Sequence, residues 1–230
     1  MQIDGLQKVT LLDFPGKIAC TVFFSGCNLR CPFCHNASLV LPERRADAAM
    51  EEEVFFDFLA SRRGKLEGVC VTGGEPSMQR GLAPFLARIK EMGFSVKLDT
   101  NGSRPEVLRD LVAQGLVDYV AMDIKNSPEK YAMTCGGADI LSAVRESAAY
   151  LMSGAVDYEF RTTVVDPLHT EEDIRAIGAW LRGAKRYYLQ SFVDSGDLIG
   201  EGMQAHDPQT MERLCAAAAE YIPAAALRGI

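Results

Sequence analysis

The sequence predicts an α/β protein, a parallel sheet with outer helices built from six consecutive strand–helix units. Two observations lead there. Short apolar, β-rich runs alternate with amphipathic helical stripes, and strict alternation implies right-handed crossovers between parallel strands. Nearly every glycine-rich or unusual polar feature also follows the carboxyl end of one of these runs, the rim on which parallel α/β proteins carry their chemistry. Length narrows the choice: the chain has 230 residues, and a complete eight-unit barrel typically takes about 250. Six units suit an open doubly wound sheet or an incomplete barrel, and periodicity alone does not choose between them.

Taken in order, the strand-like runs are Lys17–Phe24, Gly68–Thr72, Phe94–Asp99, Asp118–Asp123, Val156–Val165 and Lys185–Gln190. Each is short and continuously apolar, as strands covered on both faces are. The intervening segments repeat apolar residues at helical spacing. The stripes are Val54, Phe55, Phe58 and Leu59; Leu82, Phe85, Leu86 and Ile89; then Val107, Leu108, Leu111 and Val112. Ile140, Leu141, Val144, Ala148 and Leu151 form the next. Ile174, Ile177 and Leu181 follow Thr170, an N-cap with Asp173 at the third helical position. Met211, Leu214, Cys215 and Ala218 follow the N-cap Asp207 and Pro208. A single domain over residues 1–230 is expected, with its core at about 17–195 and a last helix at about 207–221.

Composition excludes several classes. Hydrophobic residues make up 48% and charged residues 24%, an ordinary globular mixture and not a disordered one. With 24 basic against 31 acidic residues, the net charge of −7 argues against a nucleic-acid partner. No apolar run approaches the roughly 20 residues that span a bilayer, and the opening MQIDGLQKVT lacks the apolar centre of a signal peptide. A cytoplasmic protein without membrane association is expected.

The seven cysteines are Cys20, Cys27, Cys31, Cys34, Cys70, Cys135 and Cys215. An odd number in such a chain argues against a disulfide framework. Three of them crowd into Cys27-Asn28-Leu29-Arg30-Cys31-Pro32-Phe33-Cys34, a C-x3-C-x2-C run. Soft thiolates at this density suit an iron–sulfur cluster, zinc or Cu(I). A structural zinc site wants a fourth protein ligand. His35 is adjacent to Cys34, and neighbours in a loop rarely point at one metal. Three ligands suit a cubane with one iron left open to a small molecule. Cys20, Cys70 and Cys215 continue apolar patterns and read as core, while Cys135, beside Gly136 and Gly137, has no evident place. His169 and His206 stand near helix starts and read as surface or capping residues.

These residues carry a resemblance. Cys27-x3-Cys31-x-Phe33-Cys34 is similar to the signature of the radical S-adenosylmethionine (SAM) superfamily, and Thr72-Gly73-Gly74-Glu75-Pro76 resembles its "GGEP" motif. Cys34-His35-Asn36, Asp13-Phe14-Pro15-Gly16, Asp99-Thr100-Asn101-Gly102 and Asp123-Ile124-Lys125 resemble the glycyl-radical-enzyme activases within it. The likeness runs from about residue 3 to about 195 and is densest before residue 126.

The resemblance implies an incomplete (β/α)6 TIM-like barrel. It implies that Cys27, Cys31 and Cys34 hold a 4Fe–4S cluster whose open iron chelates SAM. Gly73 and Gly74 would let backbone approach the methionine moiety, and Glu75 would meet its ammonium. Asp99, Thr100, Asn101, Asp123, Lys125 and Arg161 would line the methionine carboxylate, with a monovalent cation among the acids. Phe33 would shape the adenine site, and Asp13 would help receive a partner's glycine loop. The implied partners are a glycyl radical enzyme, in the first place the anaerobic ribonucleoside-triphosphate reductase, and a low-potential electron donor such as flavodoxin or ferredoxin. The alternatives are a radical SAM enzyme acting on a small molecule, such as a deazapurine synthase, and a non-catalytic zinc- or cluster-binding protein.

Overall fold

The structure, a computed structural model, describes residues 3–44 and 49–229. The chain divides into two compact units, and each is described by itself. The first comprises Met1–Asn28, Ser38–Thr100 and Glu106–Val120; the second comprises Leu29–Ala37, Asn101–Pro105 and Ala121–Ile230.

In the first unit the strands are β1 (Ile3–Thr10), β2 (Ala19–Phe24), β3 (Gly68–Gly73) and β4 (Ser95–Thr100). β2 and β3 run parallel in unbroken register from Ala19 opposite Gly68 to Phe24 opposite Gly73, and β3 pairs β4 in the same sense. The carboxyl ends of β2, β3 and β4 therefore lie on one rim. β1 was not expected: the polar opening segment pairs antiparallel with β2 through its backbone. Its side chains show no apolar alternation to betray a strand, since three of its eight positions are exposed.

Helices α1 (Glu52–Ala60), α2 (Leu82–Glu91) and α3 (Pro105–Ala113) belong with these strands. The stripe expected on α1 is rotated: Phe55, Phe56 and Leu59 are buried while Val54 is exposed. Phe56 wins the inward place because it meets Phe85 at a ring separation of 5.1 Å, in a cluster with Phe55 and Phe24. Such aromatic contacts outweigh the burial of one valine. β5 (Tyr119–Asp123) begins in the first unit and ends in the second.

The second unit holds β6 (Asp157–Val164), β7 (Tyr187–Ser191) and β8 (Ala225–Arg228), parallel and paired in that order. β8 was also unexpected, being four residues with no periodicity of its own. Its longer helices are α4 (Leu141–Met152), α5 (Glu171–Trp180) and α6 (Pro208–Ala219). The capping box of Thr170 with Asp173 is present, and Asp207 caps α6 by accepting from the Thr210 backbone N–H. On α6 the buried residues are Met211, Leu214, Ala217 and Ala218, and Cys215 is only half-buried, so it is not a core residue. Among the described residues no helix is long and apolar enough to cross a membrane.

Candidate functional site

In the first unit, the turn after β3 is laid against the loop after β2. The Gly74 backbone N–H donates to the Phe24 carbonyl and the Glu75 N–H to the Gly26 carbonyl, both at 2.8 Å. Gly73 has φ +127°, and a Cβ there would stand 2.1 Å from the Phe24 carbonyl oxygen. A Cβ on Gly74 would stand 2.1 Å from the carbonyl oxygen of Gly26, the residue before Cys27. Both positions thus require glycine for contact between two backbones, before any ligand is considered. Gln79 adds a third tie, from its side-chain amide to the Ser25 carbonyl at 2.7 Å.

Glu75 is 1% exposed. Its Oε1 accepts from the Ser77 backbone N–H at 3.1 Å, the Ser77 hydroxyl at 2.5 Å and the Thr100 hydroxyl at 2.8 Å. A buried carboxylate held by several donors is fixed in orientation. Thr100 thereby joins the end of β4 to the turn after β3. Asp99 accepts from the ammonium of Lys97 and lies 3.7 Å from the Cys70 sulfur. Lys97 was not singled out from the sequence, although a lysine two residues before an aspartate in an otherwise apolar run shares its face of the strand. Cys70, expected as plain core, is buried but faces this pair. Asp13 accepts from the Thr21 hydroxyl at 2.6 Å, which ties the loop before β2 to that strand. Phe14 beside it is buried against Tyr119 at 6.2 Å.

In the second unit, Cys31 is buried and Cys34 half-buried, and the Cys34 backbone N–H donates to the Cys31 carbonyl at 3.0 Å. A hydrogen bond from Cys135 pulls the Cys31 thiol down to about 7 against its burial, helped by the charge of Lys125. Burial pushes the Cys34 thiol up, and Lys125 opposes that rise. Cys135 thus has a place: it faces the cysteine loop, where its carbonyl accepts from the Arg30 N–H at 3.2 Å. Gly136 fits there because a Cβ would stand 2.5 Å from the Arg30 carbonyl oxygen. The segment after β7 also meets this loop: Gly200 N–H donates to the Pro32 carbonyl at 2.8 Å, and the Ser195 hydroxyl to that of His35 at 3.0 Å. Sequence reading gave no sign of that strap.

Asp123 stands between two cations. Arg161, on β6, meets its Oδ1 at 2.9 and 3.0 Å, and Lys125 meets its Oδ2 at 3.0 Å. Burial would raise the Asp123 carboxyl, but Arg161 and Lys125 outweigh it and hold it well below the usual carboxylate range. Burial works against Lys125 as a cation, and Asp123 outweighs that in turn. Asn101 accepts from the Ser103 N–H at 2.9 Å, an Asx turn. Phe33 is buried, with its ring edge-on to His169 at 6.2 Å. His169 is not a surface residue, being only 2% exposed. Its ring nitrogens meet the Lys125 carbonyl at 2.8 Å and the backbone of Val165.

The donor chemistry fits an iron–sulfur cluster. Three soft thiols share one short loop, and the two in the second unit lie under the influence of Lys125, which favours thiolate. Among the described residues no three His, Cys, Asp or Glu side chains are drawn together closely enough to hold a single ion.

Comparison with known proteins identifies the class. The profile of the Radical SAM superfamily matches residues 21–181. A protein of Methanocaldococcus jannaschii named for glycyl-radical enzyme activation is 34% identical over 197 residues, 83% of this chain and 79% of that protein. A 7-carboxy-7-deazaguanine synthase of Thermococcus kodakarensis is 32% identical over 133 residues, 50% of this chain and 52% of the relative. Among solved structures, Streptococcus suis SuiB bound to its precursor peptide SuiA superposes with a TM-score of 0.70 at 16% identity. That match covers 91% of this chain and 48% of SuiB. The chain belongs to the radical SAM superfamily, a family of enzymes characterised by a 4Fe–4S cluster and SAM. It has the parallel-dominated α/β fold of that family.

Proposed function

We propose that the protein is an activating enzyme that places a radical on a glycine of a partner enzyme, in the first place the anaerobic ribonucleoside-triphosphate reductase. The observation that most supports an activating role is the match to the M. jannaschii protein, which extends over most of both chains. Cys27, Cys31 and Cys34 would hold the cluster. A reduced cluster supplies the one-electron cleavage of SAM to methionine and a 5′-deoxyadenosyl radical. The electron comes from a low-potential donor such as flavodoxin or ferredoxin.

The chain's own residues bind and orient. Gly73 and Gly74 keep side chains off the turn, so that backbone and the Glu75 carboxylate face the methionine ammonium. Glu75 is suited to this because Ser77 and Thr100 fix one of its oxygens. Lys125 and Arg161 attract the methionine carboxylate, and Asp123 holds both cations in place. Asp99, Thr100 and Asn101 are further residues assigned to the methionine carboxylate, Phe33 to the adenine, and Asp13 to the partner's glycine loop. Holding reactants in one geometry is the protein's share of the acceleration.

The test is anaerobic reconstitution, reduction and mixing with a candidate partner. 5′-Deoxyadenosine release with a glycyl-radical signal at 77 K is expected, and both disappear in Cys31→Ala. Release that persists in that variant overturns the cysteine assignment. The similarity to the deazaguanine synthase favours a second reading, a small-molecule substrate. Cleavage coupled to a small-molecule product, with no protein radical, would decide for it.

A further inference from the structure

Lys97 on β4 is 1% exposed, yet it carries an ammonium. A buried lysine is costly unless its charge is met. Among the described residues it is met by the Asp99 carboxylate, with the Cys70 sulfur at 3.7 Å. The strands dictate the grouping. Lys97 and Asp99 alternate onto one face of β4, and the parallel register sets Cys70 of β3 opposite Lys97. The carboxylate expected to take a monovalent cation from solution therefore already has one, delivered covalently on the same strand. A bound K+ or Na+ at Asp99 would have to displace the ammonium or add a second positive charge against one carboxylate.

We propose that Lys97 is the built-in monovalent cation of Asp99, so that this protein requires no K+ or Na+ there. Its bearing on SAM rests on the reading of Asp99 given above; the replacement of a solution cation does not. The ammonium matches an alkali cation in charge and differs in being unable to leave. The site of the ammonium is buried, so a hydrated ion taking its place would have to shed water.

The experiment compares KCl, NaCl and tetramethylammonium chloride at equal ionic strength, using the full chain. In wild type, thermal unfolding of the cluster-free chain and 5′-deoxyadenosine release by the reconstituted enzyme are expected to be the same in all three salts. In Lys97→Met, K+ or Na+ is expected to raise the melting temperature and recover release that drops about tenfold in tetramethylammonium, the scale of one lost charge interaction. Lys97→Met/Asp99→Asn removes both charges and should fold with no ion response. A K+- or Na+-specific gain in wild type overturns the proposal. So does a folded Lys97→Met that no small cation stabilises. If Lys97→Met does not fold, the wild-type and double-variant melts decide. If wild type releases no 5′-deoxyadenosine, the proposed function fails, while the melting comparison still decides the role of Lys97.

Discussion

Arg228 grips Glu159 with both terminal nitrogens, at 2.7 and 3.0 Å, and lays its guanidinium 3.7 Å above the ring of Tyr188. The pairing joins β8 to β6 across β7. The Glu159 side chain is 0% exposed and that of Arg228 33% exposed, so the acid depends on the arginine much more than the reverse. Arg228→Ala is expected to destabilise the chain by about 1–3 kcal/mol, the usual result of taking one partner from a buried carboxylate. Arg228→Met/Glu159→Gln removes both charges and should recover most of that loss. Urea unfolding checks both, and a single variant within about 1 kcal/mol of wild type would show the carboxylate finding another partner.

Gly74 makes a different demand. A Cβ there meets a backbone oxygen, not the movable end of a side chain. Gly74→Ala must therefore part the turn after β3 from the loop that leads to Cys27, breaking the 2.8 Å bonds to Phe24 and Gly26. A loss above about 2 kcal/mol is expected, together with reduced iron uptake on reconstitution. Normal iron content and an unchanged melting temperature would refute the claim that backbone contact fixes this glycine.

These two sites mark how far the sequence could be read. Gly73 and Gly74 stood out in the sequence by position, as did the cysteine triplet, but the backbone contact that demands glycine there comes from the loop after β2, which the sequence did not show. β8 did not stand out, because four residues carry no periodicity and its partner β7 creates the strand by pairing. Lys97 was hidden by its residue type, since a lysine in a short run reads as a solvated position until its neighbours are known. Cys135 looked anomalous, yet the loop that explains it lies far away in sequence. His169 misled for a related reason: it stands near a helix start, but its ring is held by the Lys125 carbonyl at Nε2 and by the Val165 backbone N–H at Nδ1.

His169 also gives the chain a pH dependence. Burial lowers its pKa below the ordinary 6.5, although backbone bonds to Lys125 and Val165 act the other way. The folded protein therefore keeps it neutral at pH values where the unfolded chain protonates it. Stability from this source is complete above about pH 6.5 and declines as the pH falls below it, because the unfolded state then binds more protons. His35, also lowered chiefly by burial, acts in the same direction. Melting temperatures measured from pH 7.5 to 5 should fall less steeply in His169→Asn than in wild type. An equal slope would exclude His169 as a contributor.

Asp123 lies between two cations, Arg161 and Lys125, and they are not equivalent. Arg161 reaches it from another strand through two nitrogens, whereas Lys125 sits two residues along the same segment. Arg161→Met leaves Asp123 paired with Lys125. Asp123→Asn instead leaves both cations without their carboxylate. The asparagine variant is therefore expected to lose more stability, while the methionine variant should lose about 2 kcal/mol or less because the Asp123 side chain is 31% exposed and solvent screens part of the loss. Binding should reverse the emphasis. If Lys125 and Arg161 attract the methionine carboxylate, Arg161→Met weakens SAM binding by about tenfold, one charge-assisted contact. Lys125→Met/Arg161→Met should abolish it. Calorimetric titration of the reconstituted protein with SAM measures both effects. Undiminished affinity in the double variant would remove these two cations from the binding site.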